Sequence, residues 1–223
     1  MFISVARSAG EAAMNHSRFE WAVQGARSGP DIQFDIDLYE FPTVAVLPTK
    51  GSMVSGWLLL IPRTKAASIQ QLPPSARLEL MRVRSLVETD LQRFGNDHLF
   101  WFEHGPGVVG SPLGCGVDQA HLHVIPLPFD LVGASARAEP AFTWSPVNAT
   151  DPWCEIKCEH DYLLVSNGTG TFLTYPAAGI SQFFRKVIAS ELNRGIEWNY
   201  RVYPNADAAR ETVRRIGSAR PAP

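Results

Sequence analysis

The stretch Gln119-Ala120-His121-Leu122-His123-Val124-Ile125 is where this sequence is best equipped for chemistry. Side chains alternate along an extended chain, so Gln119, His121 and His123 would share one face. Ala120, Leu122 and Val124 would form an apolar set on the other face, suited to burial. Two imidazoles spaced this way lie roughly 6–7 Å apart, close enough to act on one phosphate group. Spacing alone leaves three readings open. A neutral imidazole is a nucleophile near neutral pH. His-x-His on a strand can supply two metal ligands, with Cys115, His104 or Glu103 as a third. Two histidines on a half-exposed strand can also be ordinary surface residues.

Further candidates lie just upstream. Glu103 and His104 end an aromatic run, Leu99-Phe100-Trp101-Phe102, and stand at the mouth of a glycine-rich loop from Gly105 to Gly116. They are candidates for positioning a nucleotide. Within the loop Ser111 offers a hydroxyl, and Gly114, Cys115 and Gly116 offer backbone that can approach a phosphate closely. Cys154-x-x-x-Cys158-x-His160 has a zinc-like look but lacks a second Cys/His pair of matching spacing, so no metal site is assigned. Arg185 and Lys186 could reach a phosphate, although a solvated helix face is the default for such a pair.

These residues must be positioned by secondary structure that the pattern partly reveals. Ile32, Phe34, Ile36 and Leu38 alternate with polar residues and predict a strand over 31–38. Thr43–Leu47 and Trp57–Ile61 predict two more, each closed by a proline. Pro73-Pro74-Ser75 opens a helix whose apolar residues Leu80, Val83, Val87, Leu91 and Phe94 recur at helical spacing until Gly95. A strand is expected from about Val117 to Leu127. Asn167-Gly168 sits between two short apolar runs and predicts a hairpin. Helices are expected from about Ser181 to Leu192 and from near Asn205 to Gly217, and the alternation around Trp198 and Tyr200 predicts a strand between them. The order implies an α+β fold with a mainly antiparallel sheet and packed helices. We divide the chain into a weakly patterned segment (1–30), a core (31–128), a connector (129–150) and a C-terminal α+β extension (151–223).

The run Gly114-Cys115-Gly116-Val117-Asp118-Gln119-Ala120-His121-Leu122-His123-Val124-Ile125-Pro126 resembles the signature of the histidine-triad (HIT) superfamily. Gly56-Trp57-Leu58-Leu59-Leu60-Ile61-Pro62-Arg63, followed by Ser68-Ile69-Gln70-Gln71-Leu72, is similar to that family's upstream strand and its approach to the helix. Phe102-Glu103-His104-Gly105 and Gly114-Cys115 resemble pieces that precede the motif in galactose-1-phosphate uridylyltransferases. The resemblance spans residues 31–128. It implies a nucleotide hydrolase or nucleotidyltransferase acting at the α-phosphorus of a diadenosine polyphosphate or nucleotide-sugar-like compound. The intermediate would be a covalent nucleotide on His121, with His123 on the phosphate oxygens and the backbone carbonyl of Gln119 holding the far nitrogen of His121. No cofactor is implied, and a homodimer is, since family members often form one. Three residues depart from the pattern: Gln119 stands at the first triad position, Trp57 where many short HIT proteins have a further histidine, and Cys115-Gly116 in place of a Gln-Ser pair. Gln119 hydrogen-bonds but cannot shuttle a proton. Two alternatives stand beside this reading: a nucleotide-binding protein with little turnover, and a metal-dependent enzyme using His121 and His123 as ligands.

Bulk properties set the frame. The chain has 223 residues, 45% hydrophobic and 19% charged, with a formal net charge of -2. A sizeable core is available and global disorder is disfavoured. Nothing in that balance points to nucleic acid as a partner. No run approaches the ~20 apolar residues that span a bilayer, so no membrane association is expected. Three cysteines, sparse and odd in number, and the lack of a signal-peptide pattern fit the cytoplasm.

Overall fold

The computed structural model describes residues 18–95, 98–114, 116–177 and 180–218. Its frame is a seven-stranded sheet in the order β1-β2-β4-β3-β6-β7-β5. The strands are β1 (Val44–Pro48), β2 (Leu58–Pro62), β3 (His98–Gly105), β4 (Leu122–Leu127), β5 (Ser145–Val147), β6 (Tyr162–Ser166) and β7 (Thr171–Thr174). Every pairing is antiparallel. The last three strands extend the same sheet as the first four through the β3–β6 ladder, which sets His104 beside Leu163 and Phe102 beside Val165. The chain thus has the α+β architecture expected from its pattern.

Both faces of the sheet are covered, because its strands carry apolar residues on both sides. One face packs against α2 (Pro74–Leu91). Leu80, Val83, Val87 and Leu91 of that helix meet Val46, Leu60, Trp101, Leu122, Val124 and Leu164. Pro74 enters at the first helical turn, where its missing N–H costs nothing, and Gly95 closes the following turn at φ 73°. The opposite face packs Trp57, Phe100, Phe102, Ile125, Leu163 and Val165 against α3 (Leu131–Ala138) and α4 (Phe183–Glu191). Asp130 caps α3 through the N–H groups of Val132 and Gly133. A last helix, α5 (Ala206–Gly217), follows Asn205, and its Thr212 hydroxyl accepts the N–H of Gly56 at 2.8 Å.

Three expectations fail for identifiable reasons. Residues 31–38 form no strand beyond a bridge between Ser28 and Ile36. Asp35 and Asp37, the polar positions of the alternation, are themselves buried, while Ile32 is 77% exposed. Asp37 accepts the N–H groups of Tyr39 and Val46 and pairs with Arg27 and Arg63, so this segment is held by its carboxylates. Trp198 ends a 3-10 turn, Gly195–Trp198, not a strand. Finally, β4 begins only at Leu122. The residues before it are tied to the end of β2 by Ala120 N–H to the Ala66 carbonyl at 2.7 Å and by the Gln119 amide.

Residues 1–17 lie outside the description. Just after them a helical turn, α1 (Glu20–Val23), packs Phe19, Trp21 and Ala22 onto Ala45, Leu47, Leu59 and Ile61. No helix of the described residues is long and apolar enough to cross a membrane.

Candidate active site

His121 immediately precedes β4 and His123 lies within it, both on the face away from α2. His121 Nδ1 lies 2.8 Å from the Gln119 carbonyl. A carbonyl only accepts, so Nδ1 carries the proton and Nε2 keeps its lone pair. The His123 Nδ1 lies 3.0 Å from Trp57 Nε1. Indole N–H only donates, so here the relation is reversed: Nδ1 is the acceptor and Nε2 bears the proton. His104, on β3, accepts the backbone N–H of Phe184 on Nε2 at 3.2 Å, which leaves its proton on Nδ1. Each ring is therefore assigned one tautomer by its partner, and the three tautomers differ in what they present.

The packing around these rings is aromatic. Phe102 stacks on His123 at 4.4 Å between centroids and 13° between planes. His121 and His123 are 5.2 Å apart, centroid to centroid, and Phe19 faces His121 at 5.9 Å. Enclosure in this setting keeps all of them neutral. Burial lowers the His121 pKa below the usual histidine value; the Gln119 carbonyl works against that and the Arg18 charge adds to it. Burial, and then the charges of His121, His104 and Arg185, put His123 well below its usual value. Burial takes His104 down to about 3, assisted by charges at His121, Arg185 and Lys186.

These rings line an open cleft. Its walls bring in residues that the sequence did not single out: Arg18 and Phe19 from the N-terminal segment, Thr49 and Lys50 after β1, and Gln182 and Tyr200 from the C-terminal part. Arg185 also lines it, although its side chain is buried and not on a solvated helix face. It donates to the carbonyls of Trp198 and Gly51 and lies 4.7 Å over the Trp57 ring.

The other residues singled out by sequence are placed elsewhere. Gln119 turns its amide away, donating to the carbonyls of Pro62 at 3.0 Å and Thr64 at 3.1 Å. Its contribution to the site is the backbone carbonyl. Glu103 lies on the opposite face of β3 from His104, buried among the N–H of Ile69, the indole of Trp153 and the hydroxyl of Tyr162. Burial pushes its carboxyl up to about 7 against those donors, which favour the carboxylate. It holds the core to the C-terminal part and does not reach the cleft. Ser111 donates to Asp161 instead. The N–H groups of Gly114 and Val117 are used inside their own turn, on Ser111 and Gly114 carbonyls, so they are not free phosphate donors. Gly116 is an exposed turn residue at φ 76°, and Cys115 lies outside the described residues. Among the described residues no group of three or more His, Cys, Asp or Glu side chains is placed to hold a metal ion.

Residues 35–129 match the family model described as the HIT domain. That segment of the chain is a HIT domain. The match covers β1 to β4 with α2 between them, and so contains His104, His121 and His123. The HIT domain groups the chain with nucleotide-binding hydrolases and transferases. No curated protein matches the chain significantly.

Proposed function

We propose that this HIT-domain protein is a nucleotide hydrolase or nucleotidyltransferase in which His121 Nε2 attacks the α-phosphorus of a bound nucleotide. The observation that carries the reading is the hydrogen bond from His121 Nδ1–H to the Gln119 carbonyl. It aims an unprotonated Nε2 away from the backbone and stabilises the positive charge that the ring acquires on bonding to phosphorus. His123, with its proton on Nε2 and its other nitrogen occupied by Trp57, is a fixed donor for a phosphate oxygen. Lys50 and Arg18 bring positive charge to the same cleft. The sparse cysteines, of which Cys154 and Cys158 are free and exposed, suit a cytosolic enzyme.

The test is turnover of a panel of dinucleoside polyphosphates and nucleotide sugars, with water, phosphate or a sugar phosphate as acceptor. Wild type should release a nucleoside monophosphate or its transfer product, and His121→Ala should lose at least about a thousandfold in rate. Equal turnover by the two proteins would refute the assignment. Tight nucleotide binding without product would select a binding protein.

A further inference from the structure

The HIT domain ends at residue 129, yet one cation packed against its centre comes from well beyond it. Arg185, on α4, is 4% exposed. Its guanidinium lies 4.7 Å over the ring of Trp57 and 5.4 Å from that of Tyr200. Its Nε donates to the Trp198 carbonyl at 2.9 Å, and Nη2 donates to the carbonyl of Gly51. A buried cation is costly unless its N–H groups meet acceptors and its face meets a ring. Arg185 has both, and two of these partners, Gly51 and Trp57, belong to the β1–β2 loop.

That loop is shaped to receive it. Gly51 has φ 72°, and a Cβ there would stand 2.6 Å from Arg185 Nη2 and collide with Tyr200, so glycine is what lets the C-terminal part close on the loop. The Gly51 N–H donates to the Pro204 carbonyl at 2.7 Å, and the Thr49 N–H donates to the Trp57 carbonyl at 3.0 Å. Trp57 is fully buried, with Phe102 edge-on at 6.1 Å, and its indole N–H donates to His123 Nδ1. A line of contacts thus runs from α4, through the Trp57 ring, to the tautomer of His123. Arg185 also acts on His123 through its charge: after burial, it is among the charges, with His121 and His104, that keep the ring neutral.

We propose that Arg185 is a positioning residue for His123: by clamping Trp57 and Gly51 it holds the indole N–H on Nδ1, so that the His123 proton stays on Nε2. The proposal rests on His123 being the phosphate donor of the reaction assigned above. It makes the C-terminal part a working component of the site and not only its wall. Arg194 provides the contrast. It also ties the β1–β2 loop to the C-terminal part, donating to the Met53 carbonyl at 3.1 Å, but its other partner is Glu197.

The experiment reads the ring nitrogens of His123 by NMR in the full chain, with steady-state turnover of a diadenosine polyphosphate beside it. Wild type should show one tautomer, protonated on Nε2. Arg185→Met keeps an unbranched side chain and removes the charge and the donors. It should populate both tautomers and lower kcat about 10²-fold with a much smaller change in KM, as for a misplaced transition-state donor. Arg185→Lys keeps the charge but not the fork that spans two carbonyls. It should fall between, with a minor second tautomer, and it decides the question if the Met variant does not fold. Arg194→Met should destabilise the protein and leave the His123 spectrum as in wild type. A single Nε2–H tautomer in Arg185→Met, or in Arg185→Lys where only that variant folds, would overturn the proposal. So would an equal disturbance of His123 by Arg194→Met, since any tie to this loop would then suffice. A wild type that turns over no nucleotide would refute the assigned reaction, whereas the nitrogen shifts would still judge the clamp.

Discussion

Replacing Trp57 with Phe probes the assignment of His123 most sharply. The indole N–H gives His123 Nδ1 its partner at 3.0 Å, both groups being buried. The variant keeps an aromatic ring between Arg185 and Phe102 but removes the donor. An unsatisfied buried acceptor costs about 1–3 kcal/mol. The smaller ring also leaves a void of roughly 30–40 Å³, worth about 1 kcal/mol at ~24 cal/mol per Å³. Together the change should destabilise the fold by roughly 2–4 kcal/mol, measured by urea unfolding at pH 7.5. The diagnostic readout is the nitrogen chemical shifts of His123. In the wild type Nε2 should be protonated and Nδ1 bare; in Trp57→Phe the ring should populate both tautomers and its pKa should rise. A protonated Nδ1 in the wild type, or an identical His123 spectrum in the variant, would refute the hydrogen-bond assignment and the phosphate-donor role built on it.

Other predictions follow from the same contacts. Burial takes His104 down to about 3 from the 6.5 of an unperturbed histidine, so the unfolded chain binds the extra proton first. Its contribution is present above pH 6.5 and lost as the pH falls towards 3, reaching roughly 5 kcal/mol at the acid end; His121 and His123 act with the same sign. Glu103 runs oppositely: with its pKa raised to about 7 from 4.5, its contribution is present below pH 4.5 and lost as the pH rises through 7. Glu103→Gln should therefore steepen the acid loss between pH 7 and 4.5 in equilibrium unfolding, and an unchanged slope would contradict the shift. It should also cost about 1–3 kcal/mol at pH 5, because an amide N–H₂ would face one of the three donors. Gln119→Ala removes the ties to Pro62 and Thr64 and should cost about 1–2 kcal/mol. That variant should lower kcat by misplacing His121 and leave the shape of the pH–rate profile unchanged; a lost limb would mean that Gln119 takes part in proton transfer.

How much of this was legible in the sequence depended on whether a residue's partners were local. The periodicity of α2, the β6–β7 hairpin at Asn167-Gly168 and the placement of His121 and His123 on one face follow from spacing alone, and the structure bears them out, although it buries His123. Alternation along β3 separates Trp101 and Glu103 from Phe102 and His104, which places Glu103 on the far face. The strand expected at 31–38 failed because alternation cannot tell a solvated aspartate from one buried against backbone N–H groups and arginines, as Asp37 is. Arg18, Phe19, Lys50 and Tyr200 carried no local signal, since only the tertiary fold brings the first residues described, the β1–β2 loop and the C-terminal part to one cleft. The Gln119 carbonyl meets His121 as the resemblance implies, while only the fold reveals that its side-chain amide is tied to Pro62 and Thr64.

The central claim is that His121 forms a covalent nucleotidyl intermediate through Nε2. Rapid quenching of the wild-type protein with an α-labelled dinucleoside polyphosphate, followed by peptide mapping, tests it most directly. The account predicts an acid-labile label, stoichiometric with enzyme in the burst, on the peptide carrying His121, bonded through Nε2 and absent from His121→Ala. Product formed at full rate with no label on that histidine, or label on Nδ1, would contradict it.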